Sequence, residues 1–424
     1  MTSTTRAQST RLACMAAPAA MLLLVVPVAA PAQETITART VVEGLEFPAG
    51  IAFASDGTMF VTERTGRIRV VRGGRLLARP LAEIATTTEG ETGLLGVAVS
   101  PDDRFVYAFA TAPDGGSNRV YRVPTSGGEP QVVVDGLPAS VYHNGGGVAF
   151  DEDGMLLVSN GEQHDSSKAQ DPQVLGGKVY RFTPTGGVPP DNPFGGSPAL
   201  AIGLRNPYGL TVDPVSGNAF VTENGPDSFD EVDRIVEGGN YGWPEVSGPA
   251  PDPAATRSLT GAYQDPLLDY PEIVVPVGIA FAHPREARAG FEGDLFFATY
   301  GEQAIHRVGL DRSRSRALSD DVFLRSDEPL VALAWGPEGL YYSTGASPGA
   351  VRVIPLAAPE GDARPPRQPR DDEGNRDEPT PSDEPTAAQE PGAGDPGPGG
   401  VLLVAAAAAV TLGLLAFAFR RRRP

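Results

Sequence analysis

Cysteine is almost absent from this sequence: the single residue, Cys14, lies close to the start of a 424-residue chain. The body therefore has no disulfide, no thiolate metal site, no cysteine nucleophile and no C-x-x-C-H haem attachment. Histidine is scarce too, with only His143, His164, His283 and His306, which argues against a zinc centre with several His ligands. Basic residues are outnumbered, 34 Lys and Arg against 53 Asp and Glu, for a net charge of −19. A chain this acidic repels phosphate backbones, so nucleic acid is excluded as a main partner. Strongly periodic helical stretches are missing, and 51 glycines with 42 prolines disfavour long helices and coiled coils. What remains is a 41% hydrophobic chain, enough for a globular core.

Both ends read as separate from the fold. Residues 1–32 have the pattern of a secretory signal peptide: Arg6 and Arg11, an apolar run from Leu12 to Val28, and small residues at Ala30 and Ala32. Residues 358–400 are rich in Pro, Asp, Glu and Arg and poor in large apolar side chains, which predicts a disordered stalk. Residues 401–424 hold an uncharged apolar run, Val401 to Phe419, followed by Arg420, Arg421, Arg422 and Arg423. As a helix that run spans ~28 Å, close to the hydrocarbon thickness of a bilayer. The arginines would stay in the cytoplasm. The expected product is exported and tethered to the outer face of the cell membrane through this transmembrane helix.

Between the ends, residues 33–357, one pattern recurs six times. A small residue opens a short apolar strand, a turn follows, and a second apolar strand ends near a polar loop. The copies begin at Gly50, Gly96, Gly147, Gly209, Gly278 and Val331. Most carry a third, basic-aromatic strand, as in Arg67–Val70, Arg119–Val123, Lys178–Phe182 and His306–Val308. A period of roughly 45–70 residues with three or four strands per copy predicts an all-β, six-bladed β-propeller. The segments just before the inner strands then converge on one mouth of the central channel: Phe47-Pro48, Glu91-Thr92-Gly93, His143-Asn144, Arg205-Asn206, Pro276 and Pro329.

Each mouth residue has a functional and a plain reading. His143, in Tyr142-His143-Asn144-Gly145, is either a general base for a substrate hydroxyl or a loop-stabilising side chain. Arg205 offers planar donors to a carboxylate or carbonyl, or else joins two blades. Gly225 and Pro226, near Asp227, Asp230 and Glu231, present carbonyls suited to a calcium-like cation, or form an ordinary turn among solvated acids. His164, His283 and His306 are expected to be structural or exposed.

The run from Gly44 to Ile354 resembles the glucose/sorbosone dehydrogenase family, the soluble quinoprotein sugar dehydrogenases. The similar stretches are Thr92–Gly96, His143–Gly146, Ala169–Pro172 with Gly177-Lys178, Asp191–Phe194, Gly203–Pro207, Glu223–Asp227, Asp230–Val232 and Gly238–Pro244. The resemblance implies a propeller that binds pyrroloquinoline quinone (PQQ) and calcium at the channel mouth. His143 is then the base and Arg205 the second catalytic group. Arg205, Asn206 and Asn224 contact the cofactor, and Gly225 and Pro226 hold the metal. The implied substrate is a sugar or polyol, and the electrons leave to an external acceptor.

The sequence also departs from that pattern. The family's fifth-blade lysine falls at Gly301, and its two arginines before the sixth inner strand fall near Pro329 and Val331. An expected amide appears as Glu91, and an often acidic residue as Tyr142. The alternative reading is therefore a propeller without cofactor, serving as a cell-surface binding or carbohydrate-recognition module.

Overall fold

The computed structural model describes residues 37–358. The expected signal peptide and transmembrane helix, and all but the first residue of the stalk, lie outside the described residues. Among the described residues no helix is long and apolar enough to cross a membrane.

The described residues form six antiparallel sheets of four or five strands. Their inner strands are Pro48–Phe53, Leu94–Val99, Val148–Phe150, Pro207–Val212, Pro276–Phe281 and Leu330–Gly336. Each packs against the inner strands of both neighbouring blades, the sixth returning to the first. The fold is thus the six-bladed all-β propeller, with its inner strands where the repeat places them. One strand was not anticipated from the repeat. Arg39–Leu45 pairs with Gly349–Pro355 and becomes the outer strand of blade 6, so the start of the propeller closes its last blade. Blade 4 carries an excursion in which Gly239–Asn240 runs parallel to Ala262–Tyr263.

The repeated small residue has a steric cause. A Cβ on Gly96 would lie 2.2 Å from Gly146 O, and one on Gly209 would lie 2.2 Å from Val277 O. The inner strands approach so closely that a side chain would collide with the next blade's backbone. A hydroxyl on the second strand then ties three of these contacts together. Thr222 Oγ1 accepts from Gly209 N at 2.8 Å and donates to Val277 O at 2.7 Å. Ser343 Oγ accepts from Ala332 N at 3.0 Å and donates to Pro48 O at 2.8 Å. Thr62 Oγ1 donates to Leu95 O in the same way.

Alternation along the strands gives every blade two apolar faces, and the core is a series of layers between blades. Phe60, Ile68 and Val70 of blade 1 pack on Leu94, Val97 and Val106 of blade 2. Phe220 and Val232 of blade 4 pack on Ile279, Leu295 and Phe297 of blade 5. This layered ring leaves the strand-connecting loops at one end free to carry polar groups.

Candidate active site

His143 precedes the inner strand of blade 3 with a left-handed backbone, φ 55°. Non-glycine residues adopt this conformation only where surrounding contacts impose it. Here the Glu91 carboxylate of blade 2 accepts from His143 N at 2.8 Å. The residue is 3% exposed. Its Nδ1 meets Glu162 Oε1 at 2.7 Å, from the loop after the second strand of blade 3. Burial pushes the imidazole below its usual range, and the nearby Arg205 charge adds to this, while the bond from Glu162 opposes it. His143 is therefore held neutral, with one nitrogen fixed by a carboxylate.

Arg205 reaches the same mouth from blade 4. Its Nη1 donates to Asn224 O and Gly225 O, each at 2.8 Å. Its guanidinium lies 5.6 Å from the centre of the Trp243 ring. Glu223 Oε1 accepts from Arg205 N and Asn206 N at 3.2 and 2.6 Å. Asn206 Oδ1 accepts from Gly145 N at 3.0 Å, joining blade 4 to the His143 loop. Asn224 Nδ2 donates to Pro276 O at 3.1 Å, reaching blade 5. The expected site residues His143, Arg205, Asn206 and Asn224 thus belong to one connected network.

The acids near Gly225 are committed to backbone. Asp230 accepts from Gly225 N, Val274 N and Val275 N at 2.9, 2.8 and 2.7 Å. Glu231 Oε1 accepts from Gly248 N. Asp227 is exposed. The two carbonyls that meet on one cation are those of Asn224 and Gly225, and the cation is Arg205 itself.

Three site residues escaped sequence reasoning. Arg64 follows the second strand of blade 1, in the unremarkable run Glu63-Arg64-Thr65. Its guanidinium donates to Thr92 O at 2.8 Å and Thr88 O at 2.8 Å, and also to Gly90 O. It lies within electrostatic reach of Glu91, Tyr208 and Tyr300. Burial lowers the pKa of both Arg64 and Arg205. The same burial raises Glu91, against the pull of bonds from His143 N and Asn206, so this acid tends toward the neutral form. Glu162 is the second missed residue. His164 is the third. It is exposed, as expected, but it is no bystander: its ring centre lies 3.9 Å from that of His143, with Tyr142 edge-on at 5.8 Å. Gln163 and His164 both have positive φ, 57° and 61°, and this tight turn swings His164 back over His143. The loop is anchored below by the buried Lys178, whose Nζ donates to Lys168 O and Gly176 O, both at 2.7 Å. Burial pushes Lys178 down to about 7.

The missing cations have a structural counterpart. A Cβ on Gly301 would sit 2.9 Å from Val274 O, so the backbone here has closed on the place where a side chain would begin. His306 is structural, with Nδ1 on Asp320 and Nε2 on Glu302, each at 2.9 Å. His283 lies at the surface, near Glu286.

Comparison with known proteins fits this geometry. The family profile described as glucose/sorbosone dehydrogenase matches residues 45–353. The aldose sugar dehydrogenase YliI of Escherichia coli is 32% identical over 355 residues, covering 77% of this chain and 94% of that protein. Quinoprotein glucose dehydrogenase B of Acinetobacter calcoaceticus is 31% identical over 257 residues, 51% of this chain and 54% of that one. The PQQ-bound aldose sugar dehydrogenase of Streptomyces coelicolor superimposes with a TM-score of 0.65 at 32% identity, over 76% of this chain and 98% of that structure. The chain belongs to the glucose/sorbosone dehydrogenase family.

Proposed function

We propose that this protein is a quinoprotein sugar dehydrogenase that oxidises a hydroxyl of an aldose or related polyol. The observation that carries the reading is the buried His143–Glu162 pair beside Arg205. A neutral imidazole, oriented through Nδ1 by a carboxylate, is the group needed to take a hydroxyl proton. Glu162 then stabilises the imidazolium as it forms. Arg205, Arg64, Asn206 and Asn224 supply donors for an anionic planar cofactor.

These residues fit PQQ and calcium. The buried Arg205 and half-buried Arg64 spend their donors on backbone carbonyls, and an anionic cofactor would take up those donors. Glu91 is turned onto His143 N, so its carboxylate is engaged by a backbone donor. Gly225 and Pro226 are the proposed calcium ligands, and the Gly225 carbonyl already accepts from a positive group, Arg205 Nη1. When bound, PQQ supplies the two-electron acceptor and calcium polarises its carbonyl. An external acceptor then carries the electrons away. The proposal includes export and a membrane tether, supported by the signal-like pattern of residues 1–32 and the apolar run from Val401 to Phe419.

The test is to titrate the protein with PQQ and calcium, then offer a panel of aldoses with an artificial electron acceptor. Turnover is expected in the wild type, and its loss in His143→Ala with quinone affinity nearly kept. No spectroscopic change at millimolar PQQ would reject the reading. It would favour the cofactor-free carbohydrate-binding module, which the closed backbone at Gly301 supports.

A further inference from the structure

We propose that His143, Glu162 and His164 form a binding site for a transition-metal dication of the Zn2+ or Ni2+ kind. One ligand atom from each residue lies within 4.8 Å of the others, and among the described residues no other group of three His, Cys, Asp or Glu was found with this spacing. Two imidazoles and one carboxylate are a donor set that suits zinc and nickel, whereas calcium and magnesium favour oxygen alone. The site is thus chemically distinct from the carbonyl pair of Asn224 and Gly225.

Glu162 gives a separate sign of a vacancy for a ligand. Its residue is 2% exposed, and while Oε1 meets His143, the buried Oε2 has no hydrogen-bond partner. A buried carboxylate oxygen without a partner is costly and calls for a cation or donor. His164 supplies the entry side, since it is exposed while His143 and Glu162 are buried. Metal–ligand bonds of about 2.0–2.2 Å hold donor atoms roughly 3.3 Å apart, so His143 Nδ1 and Glu162 Oε1, at 2.7 Å, must part slightly to admit the ion. His164 lies on the exposed side and is the member free to adjust to it. The nearest opposing charge, Arg205, is turned onto the carbonyls of Asn224 and Gly225.

The site can be tested by calorimetric titration of the full, chelator-stripped chain with zinc, in the presence of calcium to fill oxygen sites. No quinone or sugar is present, so the outcome is independent of the dehydrogenase reading. One equivalent should bind, and His164→Ala should weaken it at least tenfold. His283→Ala, at the surface away from the cluster, should leave affinity unchanged. Unfolding curves without metal establish that each variant is folded. Cobalt should give the visible absorption of a low-coordinate nitrogen and oxygen site in the wild type and not in His164→Ala. Zinc affinity equal in His164→Ala and wild type, or lost in His283→Ala instead, would overturn the assignment.

Discussion

Replacing Glu162 by Gln tests the site most directly, because it keeps the shape and removes the charge. In the wild type, Glu162 Oε1 sits 2.7 Å from His143 Nδ1 in a buried setting. A charge-assisted hydrogen bond of this kind contributes about 1.5–3 kcal/mol. Its full value is realised when His143 becomes an imidazolium, that is, as the sugar proton transfers. At about 1.4 kcal/mol per decade, kcat should fall roughly 10- to 150-fold. The pH profile should move too. Burial already lowers His143, and Glu162 is the partner that raises it. Rate depends on the neutral base, so the acid limb of kcat/KM should lie below the ordinary histidine value of about 6.5. In Glu162→Gln the limb should shift further toward acid. Quinone affinity and sugar KM should hardly change, because the pair acts mainly after both are bound. The assay is steady-state oxidation with an artificial acceptor, from pH 4.5 to 8.5, on protein loaded with PQQ and calcium. Wild-type kcat in the variant, or an acid limb moved toward neutral pH, would refute the role given to Glu162.

Arg64→Ala should weaken PQQ at least tenfold while kcat at saturation stays within a few-fold, read by spectroscopic titration; unchanged affinity would remove Arg64 from the cofactor site. Calcium and PQQ together should raise Tm by more than the sum of each alone, because Arg205 must leave Gly225 O before a metal takes it; strict additivity would show that the two do not share that carbonyl. Thr222→Val should cost about 2–4 kcal/mol in unfolding free energy, since a buried N–H and a buried carbonyl lose their common partner; a cost below about 0.5 kcal/mol would mean that the inter-blade tie contributes little. His306 should make stability fall as pH rises. Burial works to lower it, but hydrogen bonds to Asp320 and Glu302 outweigh this and raise it, with Tyr270, Phe297 and Arg325 completing the surroundings. A raised histidine contributes fully below its unfolded value near 6.5 and loses that contribution as pH climbs through the folded value. Tm should therefore drop more steeply from pH 6 to 9 in wild type than in His306→Gln, and parallel slopes would contradict this.

The repeat was legible because its cause is local and recurs. A glycine that must sit against the next blade's backbone, an alternating strand and a turn leave the same trace five times, and the sixth copy keeps the strands and turn with Val331 in the glycine's place. His143, Arg205, Asn206 and Asn224 were legible because they stand at equivalent places before or after those strands. Glu162 and His164 were not, because each owes its position to a loop that doubles back, whereas Arg64 stands directly after the second strand of blade 1, as Asn224 does in blade 4, and that equivalence was the signal for it. Arg64 is held by the carbonyls of Thr88, Gly90 and Thr92, far along the chain. Glu162 and His164 depend on two left-handed residues, neither a glycine, which no turn signature marks. The closing strand Arg39–Leu45 was missed because its partner lies at the other end of the propeller.

The charge balance at the mouth also reads differently once burial is included. Counted from sequence, three lost cations and the gained Glu91 make the site hostile to a tricarboxylate. Inside the fold, one cation is regained from blade 1 as Arg64. Glu91 accepts from His143 N, so this acid is engaged by the backbone, and burial raises its pKa. Glu223 caps the backbone of Arg205 and Asn206, and burial drives it well above the ordinary carboxylate range. The same low-polarity setting acts on both signs, raising the buried acids and lowering the two guanidiniums. An anion entering this mouth meets donors that are already oriented, so fewer cations are needed than an exposed site would require.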